Sequence, residues 1–307
     1  MRRIPRRLVA AALCTLGLAT AVAAAPPAAV AATPDGPSGP VIYDQGLWYL
    51  RNTPTTGSAD TSFSFGRRGS ALDLPIVGDW NGDGSETVGI ARVDQSVPFP
   101  FRFQWFLRNA NAAGAADVSF TFGVPALTDT LRGRPIAGNF DPADDAYEVG
   151  YVFPTDDGGL NWIIRRDLTP SSVTVTFRYG RSATDTPIVG DWDGDGIDTA
   201  GIVRGKQWML NNDALQGGQP ETNFPFGATA SPIRELPVVG DWDGDGTDTP
   251  GLLRNNPATQ VTGGFEVWLY RNENTTGTAD GSFVFGSDQF AIPRGVLFLP
   301  RLAIEVS

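Results

Sequence analysis

The sequence predicts an all-β fold assembled from repeated four-stranded units, and three observations carry that prediction. First, five tryptophans stand in short apolar segments: LWYLRN (47–52), QWFLRN (104–109), NWIIRR (161–166), QWMLNN (207–212) and VWLYRN (267–272). Second, each is followed by an aromatic-glycine signature: FSFG (63–66), FTFG (120–123), FRYG (177–180), FPFG (224–227) and FVFG (283–286). Third, the first four signatures lead into a proline-headed segment (PIVGDW, PIAGNF, PIVGDW, PVVGDW), an acidic stretch and a short apolar run such as VGIAR or AGIVR. No long stretch shows the 3.6-residue apolar period of an amphipathic helix, whereas 24 prolines and 37 glycines punctuate runs rich in Val, Phe, Trp and Thr.

The tryptophans are spaced 57, 57, 46 and 60 residues apart. One unit is written as four strands, G-I-x-R, W-x-L-R-N, F-x-F-G and P-I-V-G-D-W. A lone four-stranded sheet keeps bare edges and an unburied face, so neighbouring sheets must pack on it. Five such units predict a β-propeller of about five four-stranded blades. It is expected to fill residues 41–307, after a leader (1–32) and a short linker (33–40). The first unit opens with VIYD at Val41, and the fifth ends in FAIPRGVLFLPRLAIEV instead of another acidic stretch. Closing the ring requires the strand near Val41 to pair with the fifth unit, or the tail VLFLPRLAIEV to add a strand. An open array or a strand-sharing dimer is the alternative.

All eight tryptophans fall on repeat positions. That predicts indoles filling equivalent gaps between blades, in preference to sugar-stacking platforms. The F-x-F-G pairs follow the same logic: alternation puts both rings on one face of a strand, and the glycine permits a sharp exit.

The chain begins MRRIPRRLVAAALCTLGLATAVAAAPPAAVAATPDG, four arginines before an apolar, alanine-rich run. This has the form of a secretory signal peptide cleaved after Ala31 or Ala32, which predicts a secreted, extracellular protein with no membrane insertion after cleavage. Cys14, the only cysteine, lies inside that leader, and histidine is absent. A chain without the leader thus offers no disulfide, thiolate nucleophile, Ser-His-Asp triad or imidazole metal ligand. Four of the 23 basic residues also leave with the leader, so 34 acidic residues face 19 basic ones, a net charge of −15. That argues against nucleic acid and anionic membranes as partners, since both require basic patches.

The acidic stretch is the strongest chemical signal. GDWDGDGIDTAGIVR (190–204) and GDWDGDGTDTPGLLR (240–254) are nearly identical, and GDWNGDGSETVGIAR (78–92) is an earlier copy. Counting from the first acid, positions 1, 3, 5, 7 and 8 are Asp79, Asn81, Asp83, Ser85 and Glu86 in one copy. They are Asp191, Asp193, Asp195, Ile197 and Asp198 in the second, and Asp241, Asp243, Asp245, Thr247 and Asp248 in the third. Carboxylates on alternate residues, with glycine at position 6 turning the chain, can converge on one hard cation. Ca²⁺ suits such a site, with a backbone carbonyl from position 7 among its oxygens, whereas Mg²⁺ demands stricter octahedral geometry. The three copies hold 11 of the 34 acidic residues, a density of like charge that opposes folding unless compensated. Position 12 is Ile90, Ile202 or Leu252 where an EF-hand needs a bidentate glutamate, and strand follows instead of helix, so the EF-hand is rejected. The second unit carries a degraded, longer version, GNFDPADDAYEVG (138–150), which keeps Asn139, Asp141, Asp144, Asp145 and Glu148 but lacks the glycine turn.

The loop, the strand after it and the upstream Phe-Gly resemble the FG-GAP or VCBS-type repeat of integrin α-chain propellers and secreted bacterial proteins, over nearly all of residues 41–290. The residues imply three Ca²⁺ sites, with the loop at 139–148 read as a solvated acidic loop in preference to a fourth, and the resemblance implies a role in extracellular binding or cell adhesion. That family commonly carries an aspartate at loop position 9. Here position 9 is Thr87, Thr199 or Thr249, and the acid stands at position 8. The last ligand is therefore the position-8 carboxylate, the threonine hydroxyl or water. Integrin propellers have seven blades, so blade number does not carry over.

These readings together predict a secreted, non-catalytic binding module for a glycan or protein ligand. Calcium is expected to pin consecutive blades. The alternative is a propeller-type carbohydrate-active hydrolase or lyase with paired channel carboxylates. Its candidates are the acids outside the repeat, Asp156, Asp157, Glu235, Glu266 and Asp288. The polar turns NTPTTGSAD (52–60) and NENTTGTAD (272–280) are solvated connectors on which an adhesive surface could be built.

Overall fold

A computed structural model describes residues 37–70, 72–94, 102–123, 133–169, 172–181, 185–213, 215–228, 235–255 and 265–286. The leader, linker residues 33–36, Asp288 and the C-terminal tail lie outside the described residues. Among those described, every regular element is a strand, and no helix is long and apolar enough to cross a membrane.

Nineteen strands form five antiparallel sheets arranged as the blades of a five-bladed propeller. The first holds β1 (Val41–Asp44), β2 (Leu47–Leu50) and β3 (Thr61–Ser64), and the second β4 (Asp73–Gly78), β5 (Thr87–Asp94), β6 (Arg102–Leu107) and β7 (Val118–Phe122). The third comprises β8 (Arg134–Gly138), β9 (Glu148–Pro154), β10 (Leu160–Arg165) and β11 (Thr174–Arg178). The fourth comprises β12 (Thr186–Gly190), β13 (Thr199–Arg204), β14 (Gln207–Leu210) and β15 (Thr222–Pro225). The last comprises β16 (Glu235–Gly240), β17 (Thr249–Asn255), β18 (Phe265–Tyr270) and β19 (Gly281–Val284). Within each sheet, neighbours in sequence pair in order. The proline-headed strands β4, β8, β12 and β16 lie beside one another and form the inner wall.

The repeat is phased differently from the unit written above. A sheet opens with the proline-headed strand and ends with F-x-F-G, so β4 pairs with β5, and β3 does not pair with β4. The acidic stretch is consequently a hairpin loop inside one sheet. The chain passes between blades after the Phe-Gly signature, where Gly66, Gly180 and Gly227 adopt φ of 105°, 99° and 125°, a region open to glycine at little cost.

Each blade buries its tryptophan completely or nearly so. Each of these five indole N–H groups donates to the carbonyl at the end of the same blade's aromatic strand: Trp48 to Phe65 (2.8 Å), Trp105 to Phe122 (3.1 Å), Trp162 to Tyr179 (2.9 Å), Trp208 to Phe226 (3.1 Å) and Trp268 to Phe285 (3.2 Å). The repeated ring is thus a core filler with its one polar atom satisfied, as its periodicity predicts.

The five apolar clusters all straddle blade boundaries. Trp105 and Ile76 of the second blade meet Val149 of the third, and Ile188 and Trp208 of the fourth meet Leu252 of the fifth. Ile42 of the first blade packs into the cluster of Leu236, Trp242 and Trp268 from the fifth, which closes the ring.

The indoles of the G-D-W segments lie across two glycines of their own hairpin. A Cβ on Gly201 would stand 2.8 Å from Ile188 Cγ1 and 3.0 Å from Trp192 Cζ2, and one on Gly89 would meet Ile76 and Trp80 in the same way. Only glycine leaves room for that ring. Gly201→Ala is expected to overpack this site and destabilise the fold by about 1–3 kcal/mol, read as a lower melting temperature with the strand content retained.

Candidate metal loops on one end of the propeller

The three acidic hairpins join β4 to β5, β12 to β13 and β16 to β17, so they stand at one end of adjoining inner strands. Local hydrogen bonding shapes each of them. The Asp191 carboxylate accepts the N–H groups of Asp195 (3.0 Å) and Gly196 (2.7 Å), and Asp241 accepts those of Gly244, Asp245 and Gly246 at 2.7–3.0 Å. Asp79 likewise accepts from Asp83 (3.1 Å) and Gly84 (2.7 Å). The position-5 carboxylates turn back to the position-7 N–H: Asp83 to Ser85, Asp195 to Ile197 and Asp245 to Thr247, at 2.8–2.9 Å. Gly84, Gly196 and Gly246 hold φ near 90° (88°, 92° and 89°), which explains the glycine at position 6.

This winding brings carboxylates together. In Asp191, Asp193 and Asp195, and again in Asp241, Asp243 and Asp245, one carboxylate oxygen per residue lies within 4.8 Å of the others. These are the two groups of three acidic residues so placed among the described residues. An all-oxygen, hard donor set on a turning loop fits Ca²⁺ by its chemistry. In the first hairpin Asn81 replaces the middle acid, and its amide donates to Asp83 at 2.9 Å, holding that carboxyl below the usual range. Burial pushes the Asp191 carboxyl up to about 6; burial, with Asp245 and Asp241 beside it, raises Asp243.

At positions 8 and 9, Asp198, Asp248 and the three threonines are engaged by the chain itself. The Asp248 N–H donates to the Asp191 carbonyl (2.7 Å), while the Asp248 carboxylate accepts the Asp191 N–H (3.0 Å). Asp198 makes the same pair with Asn139, at 2.8 and 2.6 Å. Tyr147 N–H donates to the Asp79 carbonyl at 2.7 Å. Ser38 takes this place for the first blade, its N–H donating to the Asp241 carbonyl (2.6 Å) and its hydroxyl oxygen accepting the Asp241 N–H (3.0 Å). The chain's own groups thus link consecutive blades, from position 8 of one hairpin (Asp198, Asp248, and Tyr147 in the degraded loop) to position 1 of the hairpin before it. The position-9 hydroxyls are engaged too: Thr87 with the carbonyls of Gly78 and Arg108, Thr199 with Gly190, and Thr249 with Gly240 and Arg271. The Asp198 and Asp248 carboxylates and the position-9 threonines hold strands and blades together. Burial, with the Asp248 charge nearby, pushes Asp198 well above the carboxylate range, and burial, with Glu86, Asp191 and Asp241 nearby, pushes Asp248 up to about 7.

The degraded loop is built differently. Asn139 donates its side-chain amide to the Gly196 carbonyl at 2.9 Å, and the Glu148 carboxylate accepts the Phe140 N–H at 2.8 Å. Asp141 and Asp144 accept the N–H groups of Ala143 and Ala146, and Arg166 lies 3.8 Å from Asp141. Asp145 is exposed. Glu148 fills the place of the buried threonine, and burial pushes it up to about 8.

The acids outside the repeat fall into structural roles where they are described. Glu235 pairs with Arg254 and accepts the Ala228 N–H at 2.7 Å. The same device recurs as Asp73 with Arg92 and Asp185 with Arg204, each bracing the passage between two blades. Glu235 therefore belongs to the repeat, contrary to its expected place outside it: Asp73, Asp185 and Glu235 each stand two residues before the proline of their strand. Asp157 is exposed beside Arg178 and Thr155, Asp156 is exposed, and Glu266 lies on β18.

The polar turns 52–60 and 272–280 are ordered arches. Arg51 donates to the Thr55 (2.6 Å) and Ser58 (2.7 Å) carbonyls, and Asp60 and Asp280 cap the N–H groups of Asn52 and Asn272. Asn274 donates to the carbonyls of Trp192 and Asp248, so its arch rests on the acidic hairpins. Acidic loops and Thr/Ser-rich arches therefore share one end of the molecule. The chain is a five-bladed β-propeller whose loop end carries two aspartate triads. Comparison with protein-family models, curated proteins and solved structures finds no match.

The raised carboxyls set a pH dependence. Asp191, Asp248 and Glu148 hold protons more tightly folded than unfolded, so each favours the fold below about pH 4 and loses that contribution as pH rises through its folded value. With chelator present, the melting temperature is expected to fall between about pH 4 and pH 8, as followed by circular dichroism across that range.

Proposed function

We propose that this propeller is a secreted, calcium-stabilised, non-catalytic binding module of FG-GAP/VCBS type that presents its loop end to an extracellular glycan or protein. The observation that carries the calcium reading is the pair of aspartate triads on successive hairpins, each with its carboxylate oxygens within 4.8 Å of one another. Two nearly identical clusters on neighbouring blades fit a structural ion better than a catalytic group, which a reaction needs at one place. Asp191, Asp193 and Asp195 would hold one ion, and Asp241, Asp243 and Asp245 a second. Asp79, Asn81 and Asp83 would form a third site weakened by the neutral amide. Each ion would supply positive charge to a loop crowded with like charge, a structural role.

The binding role rests on the Thr-, Ser- and Asn-rich arches, whose tips at Thr55–Ser58 and Thr275–Thr276 are exposed, the second arch resting on the acidic hairpins through Asn274. Ordered polar loops at one end of a rigid sheet scaffold are where recognition surfaces form.

The test is a thermal melt with Ca²⁺, with Mg²⁺ and with excess EDTA, on the wild type and on Asp193→Asn/Asp243→Asn. One site at a hundredfold excess over its dissociation constant adds about 2.7 kcal/mol, so millimolar Ca²⁺ should raise the wild-type melting temperature by several degrees. EDTA should reverse the gain, Mg²⁺ should give less, and the double variant should lose most of it. An unchanged wild-type melt in EDTA would refute the calcium reading. Glycan-array binding that needs Ca²⁺ would establish the ligand class, and no binding to glycans would leave a protein ligand as the reading to test.

A further inference from the structure

We propose that Asn81 is a self-modification site: its side-chain amide is lost by spontaneous deamidation, and the resulting aspartate gives the first acidic hairpin the alternating carboxylates of the other two. Asn81 is the only asparagine in the sequence followed by glycine, and it stands at loop position 3, where the second and third copies carry Asp193 and Asp243. Both Asn81 and Gly82 are exposed, and the Asn81 amide is turned forward along the loop, donating to the Asp83 carboxylate at 2.9 Å. Gly82 holds φ of 68° and carries no side chain to obstruct an approach to its nitrogen. That nitrogen is also free. In the third hairpin the Gly244 N–H donates to Asp241 (2.7 Å), and in the second the Gly194 N–H reaches the Asp191 carboxylate. In the first, Asp79 accepts instead from Asn81 (3.4 Å), Asp83 and Gly84, and the Gly82 N–H makes no hydrogen bond among the described residues.

The chemistry needs nothing beyond water. The Gly82 nitrogen attacks Asn81 Cγ: the N–Cγ bond forms, the Cγ–Nδ2 bond breaks, and the amide nitrogen leaves as ammonia with the proton that Gly82 gives up. Water then opens the succinimide ring. Cleavage of the new N–Cγ bond restores the original backbone with an aspartate at 81, whereas cleavage at the main-chain carbonyl yields isoaspartate, which routes the backbone through the side chain. Isoaspartate inserts an extra backbone atom between Asp79 and the Asp83 and Gly84 N–H groups that it accepts, so the loop's own hydrogen bonds favour the aspartate. The product adds a negative charge to a hairpin that already holds Asp79, Asp83 and Glu86. Its consequence for binding rests on the calcium reading: a carboxylate in place of a neutral amide raises the ligand charge, and with it the affinity for Ca²⁺.

Site-resolved peptide mass spectrometry tests this on wild type and Asp243→Asn, each incubated folded at neutral pH, with strand content checked by circular dichroism. Asp243→Asn places a second Asn-Gly pair in the same molecule, at a nitrogen already engaged by Asp241. Asn81 should convert to aspartate roughly tenfold or more faster than every other native asparagine, none of which precedes a glycine. It should also convert several-fold faster than the asparagine at 243, and aspartate should exceed isoaspartate. An unchanged Asn81 in wild type, a rate equal to that at 243, or isoaspartate as the main product would each overturn the proposal, and the first of these readings needs no variant to fold. Native mass spectrometry in Ca²⁺ reads the consequence: Asn81→Asp should fill its first hairpin at roughly tenfold lower Ca²⁺ than wild type. No such gain while the other two hairpins hold ions would overturn the consequence. Ions on none of the hairpins would refute the calcium reading instead, with the modification still decided by the peptide masses.

Discussion

The ring is held at its loop end by one repeated contact, the clasp between position 8 of a hairpin and position 1 of the hairpin before it. A carbonyl accepts one N–H, and a side-chain oxygen accepts the next, as with Asp198 on Asn139, Asp248 on Asp191 and Ser38 on Asp241. Sheets that pack face to face can slide, because apolar contact is not directional. The clasp removes that freedom by fixing neighbouring blades through paired hydrogen bonds that are buried or partly buried, with the single Tyr147–Asp79 bond in the same place between the second and third blades. Each blade's inward position follows from it, as does the crowding of acidic groups at this end.

That crowding is the cost of the design. Asp198 and Asp248 are driven upward in pKa by burial, and charge from neighbouring acids adds to the effect. The exposed parts of the same loops carry the two aspartate triads. Cations bound there, as proposed, would offset the repulsion without touching the clasp, since the two sets of carboxylates are separate. The opposite end of the second, fourth and fifth blades is braced by another charged device. A buried acid on the inner strand pairs with an arginine on the next strand and caps the incoming chain, as in Asp73 with Arg92 and Arg67. The third blade has Gly133 and Phe153 in these places, so acid and arginine are absent together.

Much of this was legible in the sequence because the repeat samples the same physics five times. The tryptophans were placed in the core by their periodicity, and each does fill an equivalent gap. The hairpins were recognisable from alternate acids around glycines, because the ligand geometry of such a loop is local. The blade phase was not legible. F-x-F-G and P-I-V-G are near neighbours in the chain, and nothing in their residues says that the passage between them crosses to another sheet. The role of position 8 was hidden for a similar reason: Asp198 meets a partner 59 residues away and Asp248 one 57 residues away. Residues so far apart leave no trace in a motif read along one loop.

The central claim is that the aspartate triads are ion sites, and counting ions tests it most directly. Native mass spectrometry of the protein equilibrated in Ca²⁺ is predicted to show at least two ions per chain, and one fewer in Asp193→Asn/Asp195→Asn. A spectrum of the metal-free mass alone, at calcium concentrations of a millimolar or more, would contradict it.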